Sequence, residues 1–230
     1  ILTFTNNAAD VIEARVQQYA GVQNAGHPHF IGTMDSWLHR YLAHPFAHLI
    51  TGYPGQKYQG GIDRSIRLVA DNEHGGWINN YTCKIPYYYL DKQKKRRLLP
   101  LYANGLGFDF ESKEWNLRIP EGNTVVTAQK YSTSEGACSF RSEHPWFTLE
   151  HITSEFKNTK QKFLKNGFAT HHDIESICYL LLKRNADIRS RLAQRFPLIV
   201  VDECQDLSWL QLQTLGLLSS NVRNCILSVT

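Results

Sequence analysis

Apolar positions follow two kinds of pattern along this chain, and the two kinds occupy different stretches. At the start, ILTFT is a short continuous apolar run that predicts a buried strand. Ala9, Ile12, Val16 and Tyr19 then recur at helical spacing, with Asn6 or Asn7 as the expected cap and Gly21 as the stop. The order repeats at once. HFIGT predicts a brief strand, and Met34, Trp37, Leu38 and Tyr41 mark a helix that Pro45 is expected to end. Near the other end, Thr170 with Asp173 predicts a capping box, and Ile174, Ile177, Cys178 and Leu181 form a helical stripe. A second helix through Ile188 and Leu192 runs to Phe196. Pro197 opens the strand LIVV, Ser208 with Gln211 caps a further helix, and NCILSVT returns as a strand. Strands that read as continuous apolar runs and alternate with helices predict an α/β fold with a parallel sheet covered on both faces.

The middle, roughly 52–147, is patterned differently. Glycine-rich turns (GQKYQGG, EHGG, ANGLG, EGN) separate runs of alternating or β-branched character such as SIRLVA, WNLRI and TVVTA. This predicts a β-rich segment of residues 51–150 inserted between two parts of one sheet-bearing domain, residues 1–50 and 151–230.

Composition narrows the function classes more than it selects one. At 42% hydrophobic and 20% charged residues the chain reads as globular, with no apolar run long enough for a membrane span and no signal segment at its start. No membrane partner and a cytoplasmic location are therefore expected. The five cysteines are scattered and contain no CxxC pair, so reduced core thiols are expected in place of disulfides or a zinc site. The ten histidines do not supply a metal site either. His27 and His29 flank a proline, and His171 and His172 are neighbours, so neither pair has the i, i+4 spacing of a helical metal site. Ile1 opens inside one apolar run and Thr230 closes inside another, so the chain is expected to be a piece of a longer protein.

The densest chemistry lies at FPLIVVDECQDLSWLQ. Four apolar residues deliver Asp202, Glu203, Gln205 and Asp206 to the carboxyl end of a predicted parallel strand, where open α/β sheets bind ligands. A lone Asp-Glu after a strand commonly does no more than cap the next helix. Four polar groups in five positions ahead of a separately capped helix point instead to a nucleotide site. In phosphoryl transfer the first acid of such a pair holds Mg²⁺, and a neighbour positions the attacking water.

LIVVDECQDLSWLQ resembles the Walker B segment of the UvrD/Rep/PcrA group of superfamily 1 DNA helicases. TFTNNAADVIEARV (Thr3 to Val16) and IGTMDSWLHRYL (Ile31 to Leu42) resemble two earlier motifs of that group, and GFATHHDIESICYLLLKRN resembles the lead-in to Walker B. The motifs come in the family's order and cover about 1–45 and 155–230. The resemblance implies a RecA-like P-loop NTPase motor fold that works with Mg²⁺ and ATP on single-stranded or partially duplex DNA, together with the remaining motor domain of a parent chain. Asp202 is implied for Mg²⁺, Glu203 for activation of the hydrolytic water, and Gln205 for sensing the γ-phosphate. Phe4, Thr5, Asn6 and Thr33 are implied for single-strand contact, which suits an aromatic ring that stacks on any base and small polar groups at helix starts, the alternative for Phe4 being a core residue of a buried strand.

Departures from the pattern bear on both halves of that reading. Asn7 stands where the family has Lys, and Asp35 where it has His, placing negative charge near the expected DNA path. No GxxxxGK[ST] phosphate loop occurs in the 230 residues, so the isolated chain is expected not to hydrolyse ATP. KQKKRR (92–97) puts five cations in six positions, more than the chain's net charge of +4. Lys94, Lys95, Arg96 and Arg97 are expected either to grip DNA phosphates or to form a solvated loop. A function of a different class is a noncatalytic nucleic-acid-binding or partner-recruiting regulatory module, in which the β-rich segment recruits and the sheet is scaffold.

Overall fold

A computed structural model describes residues 1–20, 29–119 and 124–228; Gly21 and His27 lie outside the described residues. Two compact units are present. One comprises Ile1–Ile50, Gly55–Ser65 and Ile174–Thr230, the other Thr51–Pro54 and Ile66–Asp173.

The first unit is a mixed α/β structure on a four-stranded, all-parallel sheet. Its strands are β1 (Leu2–Thr3), β2 (Gly32–Thr33), β3 (Leu198–Val201) and β4 (Asn224–Leu227), in the order β4-β3-β1-β2. Leu2, Thr3, Ile199 and Val201 are buried, as strands with apolar contacts on two faces require. The expectation that both faces are covered fails at β4. Ile226 and Leu227 are about half exposed, and β4 is an edge strand among the described residues.

Helix α1 (Asn6–Ala20) follows β1 across a two-residue turn. Its cap is Thr5, whose Oγ1 accepts from Ala8 N at 3.2 Å, and not Asn6 or Asn7. Helix α2 (Met34–Leu38) follows β2 directly, with Thr33 as its N-cap. Pro45 does not end the helix begun there. A π-helical turn over His39–Ala43, in which His44 N donates to His39 O, leads into a new helical segment, His44–Phe46. Pro45 lies in the first turn of that segment, where the missing N–H is not needed. The stripe on helix His171–Arg184 is buried as predicted, with Ile174, Ile177, Cys178 and Leu181 all at 3% exposure or less. Helix α3 (Trp209–Ser219) starts with both reciprocal bonds of the Ser208/Gln211 capping box.

In the second unit WNLRI and TVVTA form strands, Glu114–Ile119 and Thr124–Thr127, which pair with each other, and Glu114–Ile119 pairs on its other edge with Leu106–Asp109 in one antiparallel sheet. SIRLVA contributes only Arg67–Leu68, parallel to Phe168–Ala169. The β-rich stretch also contains helices that its glycine-rich turns obscured: Ala128–Ser132 and Glu135–Glu143, with Leu149–Lys165 after them. Each is capped by a hydroxyl, from Thr127, Ser134 and Thr148 in turn. The core gathers Leu117, Tyr131, Phe147, Ile152 and Phe156. The Thr170–Asp173 box forms, with Thr170 N donating to Asp173 Oδ2 at 2.9 Å and Asp173 N to Thr170 Oγ1 at 3.2 Å. Lys160 Nζ meets the same carboxylate at 2.8 Å, both side chains being more than nine-tenths buried.

The cysteines form no disulfide among the described residues, but only Cys83 and Cys178 are core thiols. Burial pushes the Cys83 thiol up to about 12. Cys138 is exposed and Cys204 and Cys225 are partly so, which corrects the expectation for those three.

Candidate functional site

The acidic turn is built by the backbone on both sides of it. Pairing of β3 with β1 continues one residue past the strand, where Asp202 N donates to Leu2 O at 2.9 Å. On the other side Ser228 N donates to Val201 O and Cys204 N to Ser228 O. Between these anchors Glu203 adopts the left-handed conformation, φ 53° and ψ 45°, and Cys204–Asp206 form one 3₁₀ turn. A non-glycine residue held there carries about 1 kcal/mol of strain or more, and such strain gathers where function fixes the residue. Replacing Glu203 by Gly should therefore stabilise the fold by about 1 kcal/mol, raising the thermal midpoint by about 2–4 °C. Differential scanning calorimetry of Glu203→Gly tests this, and a lowered midpoint contradicts it.

Asp202 and Glu203 are partly exposed, and Gln205 and Asp206 are exposed. Among the described residues no hydrogen bond or ion pair engages the carboxylates of Asp202 or Glu203. They are neither sealed in the interior nor neutralised by a neighbour. Two hard oxygen donors of this kind fit Mg²⁺, which takes one or two protein carboxylates and fills its other positions with water and phosphate oxygens. Among the described residues no group of three or more His, Cys, Asp or Glu side chains gathers to hold a metal.

The parallel register brings the other candidates to the same edge. Leu2 pairs with Val201 and with Gly32, and Thr3 with Thr33, so the carboxyl ends of β3, β1 and β2 are level. Asp202, Phe4 and Thr33 thus leave three neighbouring strands side by side, spaced by about 4.8 Å per strand. Phe4 is 50% exposed, outside the core, and Thr5 and Asn6 beside it are exposed. Thr5 and Thr33 have structural duties here. Thr5 Oγ1 caps α1, while Thr33 Oγ1 accepts from Ser36 N and donates to Ser36 Oγ at 2.8 Å. The ring of Phe4 and the amide of Asn6 are the groups at this edge not used in caps.

Asp35 is exposed, but its carboxylate is tethered. Its Oδ1 accepts from Gln211 Nε2 at 2.7 Å, Gln211 Oε1 accepts from Ser208 N at 3.0 Å, and Ser208 Oγ donates to Glu175 Oε2 at 2.8 Å. The turn that carries Thr33 is therefore linked by side chains to the start of α3, directly after the acidic turn. The Ser208/Gln211 box uses Gln211 Oε1, which leaves its amide nitrogen to donate to Asp35.

Lys94, Lys95, Arg96 and Arg97 belong to the second unit. They lie on an antiparallel hairpin of strands Tyr87–Leu90 and Arg96–Leu99, with Lys94 in the tip at φ 57°. The four differ in engagement. Arg97 Nε contacts Asp91 Oδ2 at 3.0 Å, and Arg96 contacts Glu143 at 3.4 Å with its guanidinium 4.9 Å from the Phe140 ring centre. The Lys95 backbone N–H and the Arg97 side chain hold the Asp91 carboxyl below its usual range, so this acid stays ionised and organises the tip. Lys94 and Lys95 are exposed. Of the three tyrosines before the tip, Tyr88 is buried, as strand alternation requires.

Comparison with protein families finds one whose sequence model, described as UvrD/REP helicase N-terminal domain, matches residues 1–229. A comparison with curated proteins found no match. Among the described residues no helix is long and apolar enough to cross a membrane.

Proposed function

The chain belongs to the UvrD/REP helicase family, and from that premise we propose that it is the portion of an ATP-dependent DNA motor that carries the metal-binding acids and the first strand contacts. In this reading the first unit is part of a RecA-like P-loop NTPase domain, acting in the cytoplasm with the remaining motor domain of a parent chain. The observation that carries the reading is the level sheet edge, with two unengaged carboxylates after β3 beside an exposed aromatic ring after β1.

Asp202 would hold Mg²⁺, and Glu203 beside it would accept the proton of the water that attacks ATP. Bound Mg²⁺ would supply charge neutralisation for the phosphate oxygens. Gln205, exposed on the 3₁₀ turn, would reach toward the γ-phosphate. The 230 residues contain no phosphate loop, so hydrolysis needs one from outside this sequence, and the chain by itself should bind DNA without turning over ATP. The Asp35–Gln211–Ser208 link supports communication between the acidic turn and the strand path, since it ties the two helix starts together.

Strand binding tests this reading. Phe4→Ala should weaken affinity for single-stranded DNA by about 1–3 kcal/mol, the worth of one stacking contact. The pair Lys94→Gln and Lys95→Gln should lower the magnitude of the salt slope of log K by about 1–1.5, against little change for Arg96→Gln, whose guanidinium already faces Glu143. Fluorescence anisotropy over a salt series reads both. An unchanged affinity for Phe4→Ala removes the strand-binding role of this edge.

A further inference from the structure

Trp146 is 52% exposed, and among the described aromatic residues of the second unit it alone stands more than half in solvent. It lies in the 144–148 loop between helices Glu135–Glu143 and Leu149–Lys165, and hydrogen bonds pin that loop. Phe147 N donates to His144 O at 3.0 Å, Thr148 N to Trp146 O at 2.9 Å, and Arg141 Nε to Phe147 O at 2.7 Å. Phe147 is fully buried, so the residue next to the indole is rooted in the core. The rings of Phe140, His144, Phe147 and His151 surround the indole at centre separations of 5.1–6.1 Å and interplanar angles of 53–89°. None of these four stacks flat on it. A single exposed apolar residue is ordinary on a protein surface, but this one is clamped in a fixed orientation with about half of its surface open. A planar ligand would meet a ring that is already ordered, so little side-chain entropy is lost on contact.

Charge beside the ring selects the ligand. The Arg96 guanidinium lies 4.9 Å from the Phe140 ring centre and 3.4 Å from Glu143, both on the helix that leads into the Trp146 loop. The hairpin that carries Lys94 and Lys95 therefore leans on the same helix as the indole. Asp91 is taken up by Arg97 and Glu143 by Arg96, which leaves Lys92, Lys94 and Lys95 exposed with no carboxylate at ion-pair distance among the described residues. Such a surface repels a cationic peptide and suits a flexible polyanion that carries flat rings. In a duplex the base faces are stacked on one another, so only an unpaired strand offers one to the indole.

We propose that Trp146 stacks on a base of single-stranded DNA while Lys94 and Lys95 hold phosphates of the same strand. The site shares no residue with the sheet edge that carries Phe4. That the strand is DNA rests on the reading given under Proposed function, since a stacking ring does not itself read a 2′-hydroxyl.

The test is fluorescence anisotropy of the full 230-residue chain with an oligothymidylate and with an abasic strand of equal length. Trp146→Ala should weaken binding of the oligothymidylate by about 5–150-fold, the worth of one stacked base, and leave binding of the abasic strand unchanged. The salt slope should stay at the parent value, because stacking releases no counterions. Trp146→Phe, which keeps a ring, should restore most of the loss. A purely structural role for Trp146 would instead lower the thermal midpoint and weaken both strands alike. That result, or an unchanged affinity for the oligothymidylate, overturns the proposal, and preference for an oligouridylate overturns the assignment to DNA. Phe4→Ala measured in parallel separates the two readings. Loss with Trp146→Ala alone upholds this surface and sinks the sheet edge; loss with Phe4→Ala alone does the reverse.

Discussion

Glu203→Gln in the full-length protein is expected to slow ATP hydrolysis by about 10²–10⁴-fold while leaving nucleotide affinity within a factor of about two, the range a positioned general base contributes. The substitution keeps side-chain length and removes only the ability to take a proton. Backbone bonds from Asp202 N to Leu2 O and from Cys204 N to Ser228 O set the turn, and neither involves the Glu203 side chain, so the local geometry should survive. Asp202→Asn is the informative contrast. It should weaken Mg²⁺-dependent nucleotide binding itself, because it removes the carboxylate charge proposed to hold the metal. Steady-state phosphate release and equilibrium binding of a fluorescent nucleotide measure the two effects separately. Turnover of Glu203→Gln at the parent rate would remove Glu203 from the chemistry.

What the sequence disclosed and what it hid divide along the range of the interactions involved. LIVV, the Ser208–Gln211 box and the Thr170–Asp173 box are legible because spacing within four residues encodes them, and the structure forms all three. The cap of α1 was misplaced by one or two residues because Thr and Asn cap comparably, and only the exact end of β1 decides between them. Pro45 misled because its effect depends on helix register, and a π turn earlier in the same helix changes that register. The left-handed Glu203 leaves no trace in composition, since glutamate has no preference for that conformation; the neighbouring strands impose it. Asp35 and Gln211 are 176 residues apart, and nothing local marks either as the partner of the other. The orientation of the buried Asn104 amide is of the same kind, because its Nδ2 partners are carbonyls more than thirty residues away.

Lys160→Met is expected to destabilise the second unit by about 3–5 kcal/mol, a fall in its thermal midpoint of about 13–21 °C. Lys160 and Asp173 are 5% and 8% exposed and meet at 2.8 Å, so removing the ammonium strands a carboxylate away from water. The loss should exceed that from removing both charges. In Lys160→Met with Asp173→Leu no unpaired charge stays buried, and two apolar side chains recover packing, so replacing such a pair outright costs less than breaking it. Recovery should nevertheless be incomplete. Asp173 also accepts from Thr170 N at 2.9 Å, and losing that cap costs about 1 kcal/mol at the start of helix His171–Arg184. The expected order of stability is parent, then double variant, then Lys160→Met, read by calorimetry on the three proteins. A double variant less stable than Lys160→Met would mean that the helix cap, and not the ion pair, is what Asp173 chiefly provides.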